Sequence, residues 1–171
     1  SASGGGIYLE GWAQSSFSLS NVRVSNNTVV SDSYAGAGLQ FETGDYSSGE
    51  PYSSLAIQNS VLANNTALPL TTGNPWGGGM DIRHGIVTLI GSTFANNLAD
   101  LGGAISLDGG NSICDLINST FSGNQAVYYG GGMGNEGTSG GVSSPILTNV
   151  TFSDNRAEGG GGMYSAGSDG G

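Results

Sequence analysis

The chain has no lysine and only three arginines, against thirteen Asp and Glu, so its formal net charge is −10. That balance argues against nucleic acid as a partner, because phosphate contacts need Lys and Arg. An anionic membrane surface is disfavoured for the same reason. No stretch approaches the 18 or so apolar residues of a spanning helix, so no membrane insertion is expected of this segment. The single cysteine, Cys114, rules out an internal disulfide framework. It alternates with Leu116 and is expected to point inward as a small core residue. There is no Cys/His zinc spacing, no phosphate-binding loop ending in Gly-Lys and no Ser/His/Asp set, so no cofactor is expected. Glycine is the opposite extreme. With 33 Gly and few charges the chain could pass for low-complexity sequence, and only a positional pattern in the apolar residues argues otherwise.

That pattern is present. A Gly-rich tripeptide followed by an apolar residue recurs at Ile7, Leu39, Met80, Ile105, Met133 and Met163, at spacings of 32, 41, 25, 28 and 30. Unequal spacing suits a β-solenoid, where loops of any length leave between strands. A second apolar column is Leu19, Ile57, Leu89, Leu116, Leu147. A third is Val24, Leu62, Phe94, Phe121, Phe152. Three residues further on stand Asn27, Asn65, Asn97, Asn124 and Asn155. Small residues follow at Val29, Ala67, Ala99, Ala126 and Ala157. Three apolar columns predict an all-β fold: a right-handed parallel β-helix of five to six rungs, three short strands per rung, over residues 1–171 as one domain. The Asn column is expected at an αL turn, its side chains forming a structural ladder between rungs.

The chain does not begin with Met, shows no cap at either end and stops inside its sixth repeat. It is expected to be a segment of a longer solenoid or one whose ends meet another copy, end to end. Sequons at Asn26, Asn64, Asn118 and Asn149 are possible glycosylation acceptors, although a repeat that sets Asn beside Ser and Thr produces them anyway.

The motifs Phe94-Ala95-Asn96-Asn97, Phe121-Ser122-Gly123-Asn124 and Phe152-Ser153-Asp154-Asn155 alternate with Gly102-Gly103-Ala104-Ile105. They resemble the repeats of chlamydial polymorphic outer-membrane proteins. Gly4-Gly5-Gly6-Ile7-Tyr8 and Asn118-Ser119-Thr120-Phe121-Ser122-Gly123-Asn124 look more like bacterial surface proteins with choice-of-anchor domains. The resemblance covers nearly the whole chain, apart from inserts at 43–54, 68–76 and 137–145. It implies a right-handed parallel β-helix in stalks and adhesive passengers, extracellular or at the cell surface.

Chemistry concentrates on the outer face of the first strand. Three residues after each anchor stand Glu10, Glu42, Arg83, Asp108 and Glu136, all expected to face outward. Asp81 lies two before Arg83, and His84 follows it as a loop residue. Carboxylates on adjacent rungs, about 5 Å apart, share a proton, bind a divalent cation such as Ca2+, or act as a glycosidase pair. Tyr and Trp cluster near the same strand, among them Tyr8, Trp12, Tyr34, Tyr46, Trp76 and Tyr128. Aromatic rings beside acids suit stacking on sugar rings. The expectation is therefore a structural or adhesive solenoid with carbohydrate or another cell-surface ligand as partner, bound by Tyr8, Trp12, Glu42, Trp76, Arg83 and Tyr128. The alternatives are a carbohydrate-active enzyme (a lyase or glycoside hydrolase) using Asp81, Arg83, Asp108 and Glu136, and a self-assembling filament subunit.

Overall fold

A computed structural model describes residues 4–12, 14–33, 35–43, 52–108, 112–137 and 143–167. Every strand pairing among them is parallel and joins corresponding segments of successive repeats. The first sheet stacks Ile7–Gly11, Leu39–Thr43, Met80–Arg83, Ile105–Asp108, Met133–Gly137 and Met163–Gly167. The second stacks Ser16–Ser20, Ser54–Gln58, Ile86–Ile90, Ile113–Ile117 and Ser144–Thr148. The third stacks Arg23–Ser25, Val61–Ala63, Thr93–Ala95, Thr120–Ser122 and Thr151–Ser153. The molecule is a parallel β-solenoid of about five rungs.

The register follows the apolar columns residue for residue. Ile7, Leu39, Met80, Ile105, Met133 and Met163 are partners in the first sheet. Leu19, Ile57, Leu89, Leu116 and Leu147 are partners in the second. A one-residue slip would turn each inward set to solvent, so burial of one face holds the register. In the third sheet Phe94, Phe121 and Phe152 stack with ring centroids 5.0 and 4.9 Å apart, the rung spacing itself. Cys114 is fully buried in this core, and burial raises its thiol pKa.

The first four rungs carry four strands each, not three. Thr28–Val30, Thr66–Leu68, Leu98–Leu101 and Gln125–Tyr129 form a fourth sheet. Each of these strands sends one small side chain inward: Val29, Ala67, Ala99 and Ala126 are buried. With a single inward residue, often Ala, alternation is too brief to be read as a strand.

The αL turns also lie elsewhere than expected. Positive φ falls one residue before the ladder asparagines, at Asn26, Asn64, Asn96, Gly123 and Asp154. A second αL column after the second strand is Asn21, Asn59, Gly91, Asn118 and Asn149. Asn, Gly and Asp exchange there because these residues tolerate αL at least cost. We expect Asn118→Ala to cost about 1 kcal/mol more stability than Asn118→Gly, read as the difference in urea midpoints. Equal losses would show that the turn does not depend on φ.

Each αL column is followed directly by an internal ladder. Asn124 Nδ2 donates to Asn155 Oδ1 at 2.9 Å and to the Phe94 carbonyl at 2.9 Å, and the same pattern joins Asn97 to Asn124 and Asn65 to Asn97. Asn27 Nδ2 donates to Asn65 Oδ1 at 2.9 Å. A serine ladder, unforeseen in the sequence, runs beside it: the backbone amides of Val22, Ser60 and Ser92 donate to the hydroxyls of Ser60, Ser92 and Ser119.

The Gly-rich corner explains what lies over the first sheet. Gly102 has φ +60°, and a Cβ there would stand 2.4 Å from the Ile105 carbonyl oxygen. Only glycine fits this tight return. A Cβ on Gly134, pointing outward from the first sheet, would lie 3.1 Å from Gly102 N and 3.3 Å from Gly102 Cα. The corner backbone therefore folds across the outer face of the first strand.

Candidate functional site

Strand alternation sends two columns outward from the first sheet. One is Tyr8, Gln40, Asp81, Ser106, Gly134, Tyr164; the other is Glu10, Glu42, Arg83, Asp108, Glu136, Ala166. The first passes beneath the glycine corner. Gln40 and Ser106 are 2% exposed and Asp81 is 0% exposed. The expectation of an open acidic face is thus corrected in its middle: these side chains face outward but meet backbone, not water. Asp108 is also buried, Glu42, Arg83 and Glu136 are half-buried, and Glu10 is exposed.

Arg83 organises the cluster. Its Nη1 donates to Glu42 Oε2 at 3.1 Å, and its Nε stands 3.9 Å from Asp108 Oδ2. Gln40 Nε2 donates to the same Glu42 oxygen at 3.1 Å, and the Tyr8 hydroxyl donates to Glu42 Oε1. Partial burial, then the bond and charge of Glu42, push the Tyr8 phenol well above its ordinary pKa. Glu42 thus collects donors from three rungs, and the guanidinium supplies the positive charge between two carboxylates.

Asp81 is the exception. Neither carboxyl oxygen has a hydrogen-bond partner of good geometry, and Gln40 Oε1, on the adjacent rung of its column, has none either. Burial drives the Asp81 pKa well above the carboxylate range. Arg83 opposes that rise, Asp108 and Glu42 add to it, and the Ser106 hydroxyl is a minor favourable influence. Burial and then Asp108 also raise Glu136. Asp108 and Glu136 are register partners, so the acid pair foreseen on adjacent rungs is assembled.

Among the described residues no group of three or more His, Cys, Asp or Glu could hold a metal ion. Arg83 occupies the middle of the acidic column that was read as one possible Ca2+ site. His84 ends the first strand in αL (φ 52°), its amide donating to Ser112 Oγ and its carbonyl accepting from Thr43 Oγ1.

The expected ligand-binding residues divide. Tyr8, Glu42 and Arg83 are brought together in one network. Trp12 is 58% exposed just beyond the first strand. Tyr128 is exposed on the fourth sheet, beside the stacked Tyr129 and Tyr164 rings. Trp76 is only 8% exposed, in the corner between the fourth and first sheets, where its backbone bridges to Leu101. It is not an open stacking platform on the acidic face. Tyr34 and Tyr46 lie outside the described residues. The sequon asparagines Asn26, Asn64, Asn118 and Asn149 are all exposed at αL turn tips, and the turn alone accounts for Asn at each.

The 68–76 insert holds a feature that sequence reading missed. Asp32 Oδ1 accepts from the amides of Thr71 (2.6 Å) and Gly73 (3.1 Å), and its Oδ2 accepts from the Thr71 hydroxyl. These bonds, the Thr71 hydroxyl first, hold the Asp32 pKa below its usual value. An Asp four residues before a Gly-rich corner carried no recognisable signal, because its partners are about 40 residues away.

Comparison of the chain with protein-family models, curated proteins and solved structures found no match.

Proposed function

We propose that the chain is a structural and adhesive element of the cell exterior: a stiff solenoid that spaces and presents contacts to carbohydrate. The observation that carries this reading is the unbroken asparagine ladder from Asn27 to Asn155, which bonds every rung to the next through side chains as well as backbone. Stiffness along one axis is the property such a ladder supplies. The motif resemblance to surface stalks supports it. So does the scarcity of Lys and Arg, which leaves trypsin-like proteases almost nothing to cut.

A second reading, a carbohydrate-active enzyme, is favoured by one observation: Glu136, with its raised pKa, stands beside Asp108, as an acid–base pair would. Burial weighs against it, since a catalytic acid must reach the bond it protonates and Asp81 reaches no solvent. The test is retention of soluble polysaccharides on the immobilised chain, with product release followed in parallel. We expect retention without chain shortening, unchanged in Glu136→Gln. Shortening that Glu136→Gln abolishes would replace the adhesive reading with the enzymatic one.

A further inference from the structure

The 68–76 insert does more than decorate a corner. It closes against the Asp32–Ser33 turn to leave a cleft of about 240 Å3 lined by Asp32, Ser33, Asn74 and Trp76. We propose that this cleft is a binding site for a single neutral pyranose ring, as part of a surface glycan. The proposal rests on the adhesive reading and gives it a location away from the acidic column.

Four features carry it. The walls are held in place before any ligand arrives. Asp32 is tied to Thr71 and Gly73 across the cleft's edge, and the Trp76 segment is tied to the fourth sheet, where the Pro75 carbonyl accepts from the Asp100 amide at 3.1 Å. A site that is already ordered loses less entropy on binding. The lining is of the right kind: Trp76 as apolar wall, with the exposed Asn74 and Ser33 as polar partners. A pyranose presents an apolar C–H face and a rim of hydroxyls that both donate and accept. The size is limiting. At about 240 Å3 the cleft lies below the roughly 300–1,000 Å3 of drug-sized pockets, so it takes one ring and leaves the rest of a glycan in solvent. The charge discriminates. Asp32 stays ionised beside the cleft in a chain of net charge −10, which disfavours uronates and sulfated sugars.

The chain has two tryptophans, so Trp12→Phe, a change at an exposed position, leaves Trp76 as sole reporter. In that background, methyl pyranosides of glucose, galactose, mannose and N-acetylglucosamine are titrated against Trp76 emission, with methyl glucuronide as anionic control. A glycan array of the intact chain runs beside them. We expect a saturable emission change with at least one neutral glycoside. Asn74→Ala should weaken it about tenfold, the scale of one or two hydrogen bonds, and glucuronide should bind more weakly still. Array binding with a silent Trp76, or binding that Asn74→Ala leaves unchanged, would overturn the cleft while the adhesive reading stood. Equal binding of glucuronide would overturn the ligand class. No array binding by the intact chain would overturn the adhesive reading and the cleft with it.

Discussion

Asn97→Ala is expected to lose about 4 kcal/mol or more of stability, near the upper limit for a single substitution. Asn97 is 1% exposed and every polar atom of its side chain is engaged. Its Oδ1 accepts from Asn65 N at 3.0 Å and Asn65 Nδ2 at 3.1 Å. Its Nδ2 donates to the Leu62 carbonyl and to Asn124 Oδ1, both at 2.9 Å. Truncation leaves a backbone N–H, a carbonyl and two amide groups short of a partner in a space too closed for free hydration. Each orphaned group costs roughly 1–3 kcal/mol. Asn27 is the internal control. It is half-buried, and its side chain makes a single bond to the next ladder asparagine, so Asn27→Ala should cost about 1 kcal/mol. Urea denaturation of the two variants decides. Comparable losses at both positions would mean that the ladder does not carry rung-to-rung stability. Because each rung touches only its neighbours, the Asn97 variant should also broaden or split the transition.

What made this much of the fold legible is the same feature that makes Asn97 costly. Register in a solenoid is written once per rung, so Met80, Ile105 and Met133 could be placed over one another from spacing alone, as could Phe94, Phe121 and Phe152. The ladder asparagines were readable because they keep a fixed offset of three from those apolar residues. The fourth sheet was not readable. Val29, Ala67, Ala99 and Ala126 are single small inward residues between two turns, and a period of two needs more than one repeat to be seen. The αL position was misplaced by one residue because Asn recurs at both sites. Only the exchange of Asn96, Gly123 and Asp154 at one of them separates a φ requirement from a hydrogen-bonding one.

The candidate site shows the same boundary. Alternation correctly sends Asp81, Arg83, Asp108 and Glu136 to the outer face of the first sheet, and the rung order brings Glu42, Arg83 and Asp108 together. Alternation says nothing about what lies above that face. The glycine corner that covers it is close packing of one backbone on another, and it leaves no periodic trace beyond the glycines themselves. For the same reason the Asp32 clamp and the cleft beside it were invisible: they depend on how an aperiodic insert folds back.

Asp81→Asn is expected to raise stability at neutral pH and to leave it unchanged near pH 3.5. The sign follows from where the proton sits. An unfolded Asp titrates near 3.9, whereas in the fold burial holds Asp81 protonated well above that. The folded state therefore binds the extra proton. Its contribution is complete below the unfolded value and is lost as pH rises through the folded one. Asparagine keeps the shape, needs no proton and brings an amide donor into a column where Gln40 Oε1 is buried without a partner. Arg83 loses little, because Glu42 and Asp108 remain on either side of it. Other carboxylates titrate over the same range, so the informative quantity is the wild-type-minus-variant difference across pH 3.5 to 8, from denaturant midpoints. A variant less stable than wild type at pH 7 and equal to it at pH 3.5 would mean that Asp81 is ionised and bound to Arg83. The cluster would then be a charged network of three carboxylates rather than a neutral acid beside a compensated pair.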